Sequence, residues 1–108
     1  MTFGKIKTEI WVNAYLRYLN LNSIPVYVLK RGDNCSGAIF IKVVDNNNYS
    51  KVFGRIFNNQ NLEEWDVIKE GDEKKVKIFL DNQIRFDPDM WLIEVEDNFL
   101  RNFLEIFK

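Results

Sequence analysis

The stretch GAIFIKVVDNNNYSKVFGRIF, residues 37–57, decides the fold. It holds two runs rich in β-branched and aromatic residues, at 37–44 and 49–57, separated by the polar residues 45–48. Runs of this composition predict β-strands, and a short stretch of Asp and Asn predicts the turn between them. The sequence therefore predicts a β-hairpin in the middle of the chain.

The predicted hairpin has two faces of different chemistry. A loop at 45–48 that sets Val44 opposite Tyr49 places aromatic and basic side chains on one face: Phe40, Lys42, Lys51, Phe53, Arg55 and Phe57. The other face is almost entirely apolar, with Ile39, Ile41, Val43, Val52, Gly54 and Ile56. We expect helices to cover the apolar face, because its burial removes the most apolar surface from water.

Six further elements flank the hairpin. In chain order they are a helix at 8–21, a strand at 25–30, a weaker strand at 64–69, a helix from the Gly71–Asp72 turn to Arg85, a strand at 90–96 and a helix capped by Asp97. The order is α-β-β-β-β-α-β-α, and strands in succession favour an antiparallel sheet. We predict an α+β fold with a single antiparallel sheet of four to five strands and helices packed mainly on one face.

Composition restricts the class of protein. The 108 residues, 46% of them hydrophobic, suit a single domain over 1–108, and no apolar run reaches the length of a membrane span. The formal net charge of −1 gives no general attraction to nucleic acid or anionic lipid. The single cysteine, Cys35, and the lack of a signal-peptide pattern indicate a cytoplasmic protein.

The absence of histidine argues against several kinds of chemistry. A cysteine or serine nucleophile lacks its usual base, and a structural zinc site lacks its usual ligands. We expect no cofactor and no metal. An acidic group around Asp87, Asp89 and Glu94 has the oxygen ligands that Mg²⁺ or Ca²⁺ prefers, but turn and strand roles explain the same residues.

Charged residues in two turns are the main candidate binding residues. The two turns are Arg31-Gly32-Asp33 and Arg85-Phe86-Asp87-Pro88-Asp89. Convergence of their side chains on a cleft would favour a ligand site, whereas dispersal of the side chains into turns and helix caps would favour a structural joint. A cation on the hairpin is expected to pair with Glu94 or Glu96 on the last strand. The candidate binding residues are Arg31, Asp33, Lys42, Arg55, Arg85, Asp87, Asp89, Trp91 and Glu94.

The third strand partly matches an RNA-recognition pattern. Lys51, Phe53 and Gly54 of KVFGRIF agree with it, but the order of the elements differs from that of the RNA-recognition fold. A sheet face with Phe40 and Phe53 exposed beside cations would suit single-stranded nucleic acid.

The last predicted helix is apolar over a wide stripe that includes Phe99, Phe103 and Phe107. Such a helix docks on its own sheet or forms a homodimer with a second copy of the chain, and both alternatives stay open.

Three motifs resemble a small uncharacterised bacterial family, mainly alphaproteobacterial. They are EIWVNAYLR at 9–17, LKRGDNCSG at 29–37 and RFDPDMWLIEVED at 85–97. The resemblance covers nearly the whole chain, and the third motif is its most specific part. It implies a small cytoplasmic domain of unknown function, and it implies no activity.

The leading functional hypothesis is a non-catalytic binding or protein-interaction module. The alternative is a small carboxylate-based enzyme, with or without a divalent metal, or a ligand-binding protein that uses the region of Arg31/Asp33 and Arg85/Asp87/Asp89. Single-stranded nucleic-acid binding on the face of Phe40 and Phe53 is a lesser alternative.

Overall fold

The computed structural model describes residues 6–57 and 63–104. Its elements are α1 (Thr8–Leu21), β1 (Val26–Lys30), β2 (Ile39–Val44), β3 (Tyr49–Phe57), β4 (Glu63–Asp72), α2 (Glu73–Phe86) and β5 (Trp91–Glu96). The predicted α+β class and the element order as far as β5 are confirmed. The predicted weaker strand is the longest one, because β4 continues through Gly71 to the residue that caps α2.

The sheet is mixed, so the prediction of a purely antiparallel sheet is wrong. The strand order is β1-β5-β2-β3-β4, which puts β1 and β4 at the edges. Neighbouring strands are antiparallel except β5 and β2, which run parallel. The reason is the crossover through α2, which carries the chain from β4 at one edge back into the sheet between β1 and β2. Of the five strands, β2, β3 and β4 are the ones that follow one another both in the chain and in the sheet, so they form antiparallel hairpins.

Each face of the sheet is covered by one helix, so the expectation of helices mainly on one face is wrong. On the first face Val12, Tyr15 and Leu19 of α1 pack against sheet residues such as Ile41 and Ile93, and together they form the first core. The second core joins α2 to the opposite face, and its buried members are Val52, Val76, Leu80, Met90 and Leu92. Strands with apolar residues on both faces need a layer on each side to remove those residues from water.

The hairpin of β2 and β3 is one residue out of the predicted register. Val44 lies opposite Ser50, and Ile41 lies opposite Phe53. The Asp45 amide donates to the Tyr49 carbonyl, so the loop has three residues rather than four, and Asn48 adopts a left-handed conformation with φ of 67°. A shift of one residue moves side chains to the other face of a strand.

The shift reverses the predicted faces of β3. Phe53 joins the core beneath α1. Val52 belongs to the core beneath α2, and Gly54 approaches Phe40 and Ile68 on that same side. The predicted grouping of Phe40 with Phe53 on one face is therefore wrong.

No helix forms after β5 in the described part of the chain, and the predicted helix is wrong over 97–104. Leu100 and Phe103 both have a φ of 58°, which a right-handed helix does not contain. Leu104 is buried against the first core, and the Tyr15 hydroxyl donates to the Asn102 carbonyl at 2.6 Å. Leu100, Phe103 and Leu104, which the sequence placed on one side of a helix, instead pack from an irregular segment onto the α1 side of the sheet. Phe107 lies outside the described residues.

The loop at 31–38 is docked against the turn at 87–90, and we refer to this contact as the joint. The Asp33 amide donates to the Asp89 carbonyl at 2.8 Å, and the indole of Trp91 donates to the Asp33 carbonyl at 2.8 Å. The Trp91 amide then donates to the Ala38 carbonyl at 2.7 Å, directly before β2 begins. The joint therefore places the start of β5 beside the start of β2.

Two glycines allow this close approach of two backbones. A Cβ atom on Gly32 or on Gly37 would overlap the Asp89 carbonyl oxygen, and one on Gly32 would also meet the backbone of Met90. Backbone atoms cannot rotate away as the end of a side chain can. The spacing of Gly32 and Gly37 thus reflects a steric requirement of the joint.

We predict that Gly32→Ala destabilises the protein by about 3 kcal/mol, because the added methyl group has no space against backbone atoms. Gly54→Ala is the matched control: its Cβ would first meet the end of the Ile68 side chain at 3.1 Å, which can move. We expect the control to change the free energy of unfolding by less than about 1 kcal/mol. Urea unfolding of both variants measures the difference, and equal losses would contradict this account of the joint.

Candidate functional site

The candidate residues fall in separate parts of the structure. One group lies in and around the joint: Arg31, Asp33, Arg85, Asp87, Asp89 and Trp91. Lys42 and Glu94 lie on the face covered by α2. Arg55 lies on the opposite face, against Trp11 of α1. The structure therefore does not bring the nine candidates into one cleft.

Two carboxylates of the joint, those of Asp33 and Asp87, accept hydrogen bonds from backbone amides. One oxygen of Asp33 accepts from the amides of Ser36 at 2.8 Å and Cys35 at 3.1 Å, and from the Ser36 hydroxyl. These amide bonds, the Ser36 bond foremost, hold the pKa of the Asp33 carboxyl below its ordinary value. Asp87 accepts from the Asp89 amide at 3.2 Å. Both carboxylates thus stabilise the turns in which they lie.

Two cations complete the joint. The Lys30 ammonium donates to the carbonyls of Pro88 and Met90, so it holds the turn at 87–90 against the end of β1. The Arg31 guanidinium lies 4.7 Å from the centre of the buried Trp91 ring and 3.5 Å from Glu9 of α1. Lys30 was missed by the sequence analysis, since a lysine at the end of a strand gives no local signal of a contact 58 residues away.

The predicted pairing of a hairpin cation with β5 is present between Lys42 and Glu94. The Lys42 ammonium lies 3.3 Å from Glu94 and 2.5 Å from Glu73, and the residue is only 6% exposed. Glu73 begins α2 immediately after Asp72, whose carboxylate caps the helix by accepting from the Lys75 amide. This ionic group ties the start of α2 to the centre of the sheet.

Arg55 belongs to an aromatic cluster that spans three elements. Trp11 of α1 and Trp65 of β4 stack with ring centres 5.5 Å apart and an angle of 28° between the rings. The Arg55 guanidinium lies 5.3 Å from the Trp11 ring and 5.0 Å from the Trp65 ring. We refer to Trp11, Trp65 and Arg55 as the tryptophan–arginine surface, because both rings are half-buried and Arg55 is exposed. The two tryptophans were not among the candidates, because their incomplete burial and their stacking are visible only in the structure.

The nucleic-acid hypothesis depended on a face that the structure does not form. Phe53 lies in the core beneath α1, whereas Phe40 packs on the side of α2. The two rings therefore cannot stack bases on a common surface.

The described residues contain neither a cluster of metal-binding side chains nor a helix suited to a membrane. Within 6–57 and 63–104, no group of three or more His, Cys, Asp or Glu side chains has the arrangement of a metal site. No helix in those ranges has the length and hydropathy needed to cross a membrane.

A family model described as a protein of unknown function, DUF1491, matches residues 6–105. The chain belongs to the DUF1491 family. This confirms the resemblance to an uncharacterised family. The comparison with curated proteins found no match.

Solved structures of similar proteins agree with the fold. A DUF1491 protein from Caulobacter crescentus is 28% identical, with 94% of this chain and 96% of that chain covered and a TM-score of 0.84 in its crystal structure. An NMR structure of a DUF1491 protein from the same organism gives a TM-score of 0.80 at the same identity and coverage. A protein from A. tumefaciens, solved in solution as a structural genomics target, is 22% identical over 87% of each chain, with a TM-score of 0.72, and shows the fold alone.

We predict that Lys42→Met destabilises the protein by about 2 kcal/mol, because it leaves the half-buried Glu94 carboxylate without its cation. The value is below that of a fully buried pair, since Glu73 is partly exposed. Lys77→Met is the control: its ion pair with Asp81 is exposed on α2, and its loss should cost less than about 0.5 kcal/mol. Thermal and urea unfolding compare the two, and similar losses would contradict a structural role for Lys42.

We predict that Asp33→Asn reduces the dependence of stability on pH in acid. A carboxyl whose pKa is lowered by folding contributes stability above its ordinary pKa, and this contribution disappears as the pH falls through the folded-state pKa. Asparagine keeps an accepting oxygen but does not titrate. The free energy of unfolding, measured between about pH 5 and pH 2, should therefore fall less steeply in the variant than in the wild type. Identical slopes would contradict this role of Asp33.

Proposed function

We propose that this chain is a non-catalytic protein-binding module and that it binds its partner through the tryptophan–arginine surface. Tryptophan and arginine are the residue types most enriched among the side chains that dominate protein–protein binding energy. Trp11, Trp65 and Arg55 come from α1, β4 and β3, so tertiary structure assembles them at one place. That assembly at the surface is the observation that carries the proposal.

The surface is held in position before any partner binds. Trp11 stacks on Tyr15 with ring centres 5.1 Å apart, and Tyr15 is completely buried in the first core. Burial raises the pKa of the Tyr15 hydroxyl, so it stays neutral while it donates to Asn102. Side chains that are already ordered lose little conformational entropy on binding, which favours affinity.

The carboxylate-based alternative has less support. The oxygens of Asp33 and Asp87 accept bonds from turn amides, as described above. Two surface depressions lie elsewhere. One, of about 350 Å³, is beside Phe53 and residues 100–103. The other, of about 440 Å³, is at the end of the sheet around Val44 and Glu96. A reaction would need its acid or base to face such a depression. A cytoplasmic location completes the proposal, and the lone Cys35 is compatible with it.

The proposal predicts a partner that depends on this surface. Tagged wild-type protein, Arg55→Ala and Trp65→Ala are used to capture proteins from an extract of the native cell, with quantification by mass spectrometry. Phe86→Ala is the matched control, since Phe86 is an aromatic residue that is 86% exposed at the far end of α2. Far-ultraviolet circular dichroism checks that each variant is folded.

We expect a protein that is retained by the wild type and by Phe86→Ala, and at least tenfold less by Arg55→Ala and Trp65→Ala, because truncation of a hot-spot residue costs about 2 kcal/mol or more. Equal retention of all captured proteins by the four forms would contradict the proposal.

A further inference from the structure

The two edges of the sheet differ in how they are protected from pairing with another strand. The β4 edge carries many charged residues, Glu64, Asp66, Lys69, Glu70 and Asp72, and charge on an edge strand opposes association. The β1 edge has the sequence VYVLK and contains no carboxylate. Tyr27 and Leu29 are 48% and 50% exposed on it. Among the described residues, β1 pairs with β5 alone.

The hydrogen bonds to β5 show which backbone groups of β1 face outward. The Glu96 amide donates to the Pro25 carbonyl, so these two residues form a hydrogen-bonded pair of the antiparallel ladder. Such pairs alternate with pairs whose amides and carbonyls point away from the neighbouring strand. Val26 and Val28 lie opposite Val95 and Ile93. Their N–H and C=O groups therefore point away from β5, toward the free edge and in the plane of the sheet.

Charge is distributed unequally along β1. At its start the strand lies beside the exposed Glu96 of β5. At its end it is followed by the exposed Arg31, whereas the ammonium of Lys30 is already bound to carbonyls of the joint. An antiparallel copy of β1 would bring the basic end of one chain to the acidic end of the other. The edge is thus complementary in charge to itself, and its apolar centre around Tyr27 would face the same apolar centre.

We propose that two copies of this chain associate through their β1 edges, in antiparallel orientation about a two-fold axis, and form one continuous sheet from two five-stranded halves. The outward groups of Val26 and Val28 supply the backbone hydrogen bonds. The irregularity of the β1–β5 ladder between Val28 and Lys30 restricts the pairing to the first part of the strand. A contact of this size is typical of weak association. The proposal is independent of the tryptophan–arginine surface.

Hydrogen exchange of the full-length chain tests the pairing directly. Amide exchange is measured by NMR at about 10 µM and at about 1 mM, concentrations that bracket a weak dimer. We expect the Val26 and Val28 amides to exchange at least fivefold more slowly at the higher concentration. The outward amides of β4 are the internal control, and their exchange should not depend on concentration. Exchange of Val26 and Val28 that is independent of concentration would overturn the proposal.

Sedimentation equilibrium of two matched variants provides the second test. Tyr27→Glu places one carboxylate of each chain near the two-fold axis, beside Glu94 and Glu96 of the same chain, so its dimerisation should be at least tenfold weaker than that of the wild type. Ile78→Glu introduces the same charge at a residue that is 63% exposed on α2, and it should dimerise like the wild type. A wild-type protein that is monomeric at about 1 mM, or a dimer that Tyr27→Glu leaves intact, would overturn the proposal.

Discussion

The contact between the Asp89 carbonyl and the backbone of the loop at 31–38 is the constraint on which the rest of the fold depends. Only glycine fits at positions 32 and 37, because a side chain at either would overlap that carbonyl. The close approach lets the Asp33 amide, the Trp91 indole and the Trp91 amide form their hydrogen bonds. Trp91 is only 1% exposed, so its indole and amide N–H groups would have no water to replace these partners.

The joint explains the unusual position of β5. Once Trp91 is bonded to Ala38, β5 can only continue alongside β2 in the same direction, and β1 pairs on its other side. The strand then lies inside the sheet, with Trp91, Ile93 and Val95 buried on the side of α1 and Leu92 buried on the side of α2. Lys42 is buried as a consequence, and Glu73 and Glu94 provide its charge compensation. The stretches at 29–37 and 85–97, on which the resemblance in the sequence was based, thus contain the two halves of this joint.

The joint also separates structural charge from surfaces suited to binding. The carboxylates of Asp33 and Asp87 stabilise their turns, and the Lys30 ammonium holds the turn at 87–90 against the end of β1. The tryptophan–arginine surface is made by residues of α1, β3 and β4 that do not belong to the joint. The β1 edge ends at the joint, which therefore fixes the position of the strand on which Tyr27 and Leu29 are exposed.

The sequence by itself determined the elements that local patterns encode. The period of apolar residues gave the bounds of α1 and β3, and Asp72 was identifiable as a helix cap because its side chain acts three residues away. Alternation along strands predicted that a hairpin cation pairs with Glu94 or Glu96, and the structure selects Lys42 with Glu94. Tertiary structure alone decided the hairpin register, which depends on the conformation of Asn48, and the irregular path of residues 97–104. It also decided that β5 inserts parallel to β2 and that Trp11, Trp65 and Arg55 come together. Contacts of this kind join residues far apart in the chain, as Trp91 and Asp33 are by 58 positions, so they leave no local period in the sequence.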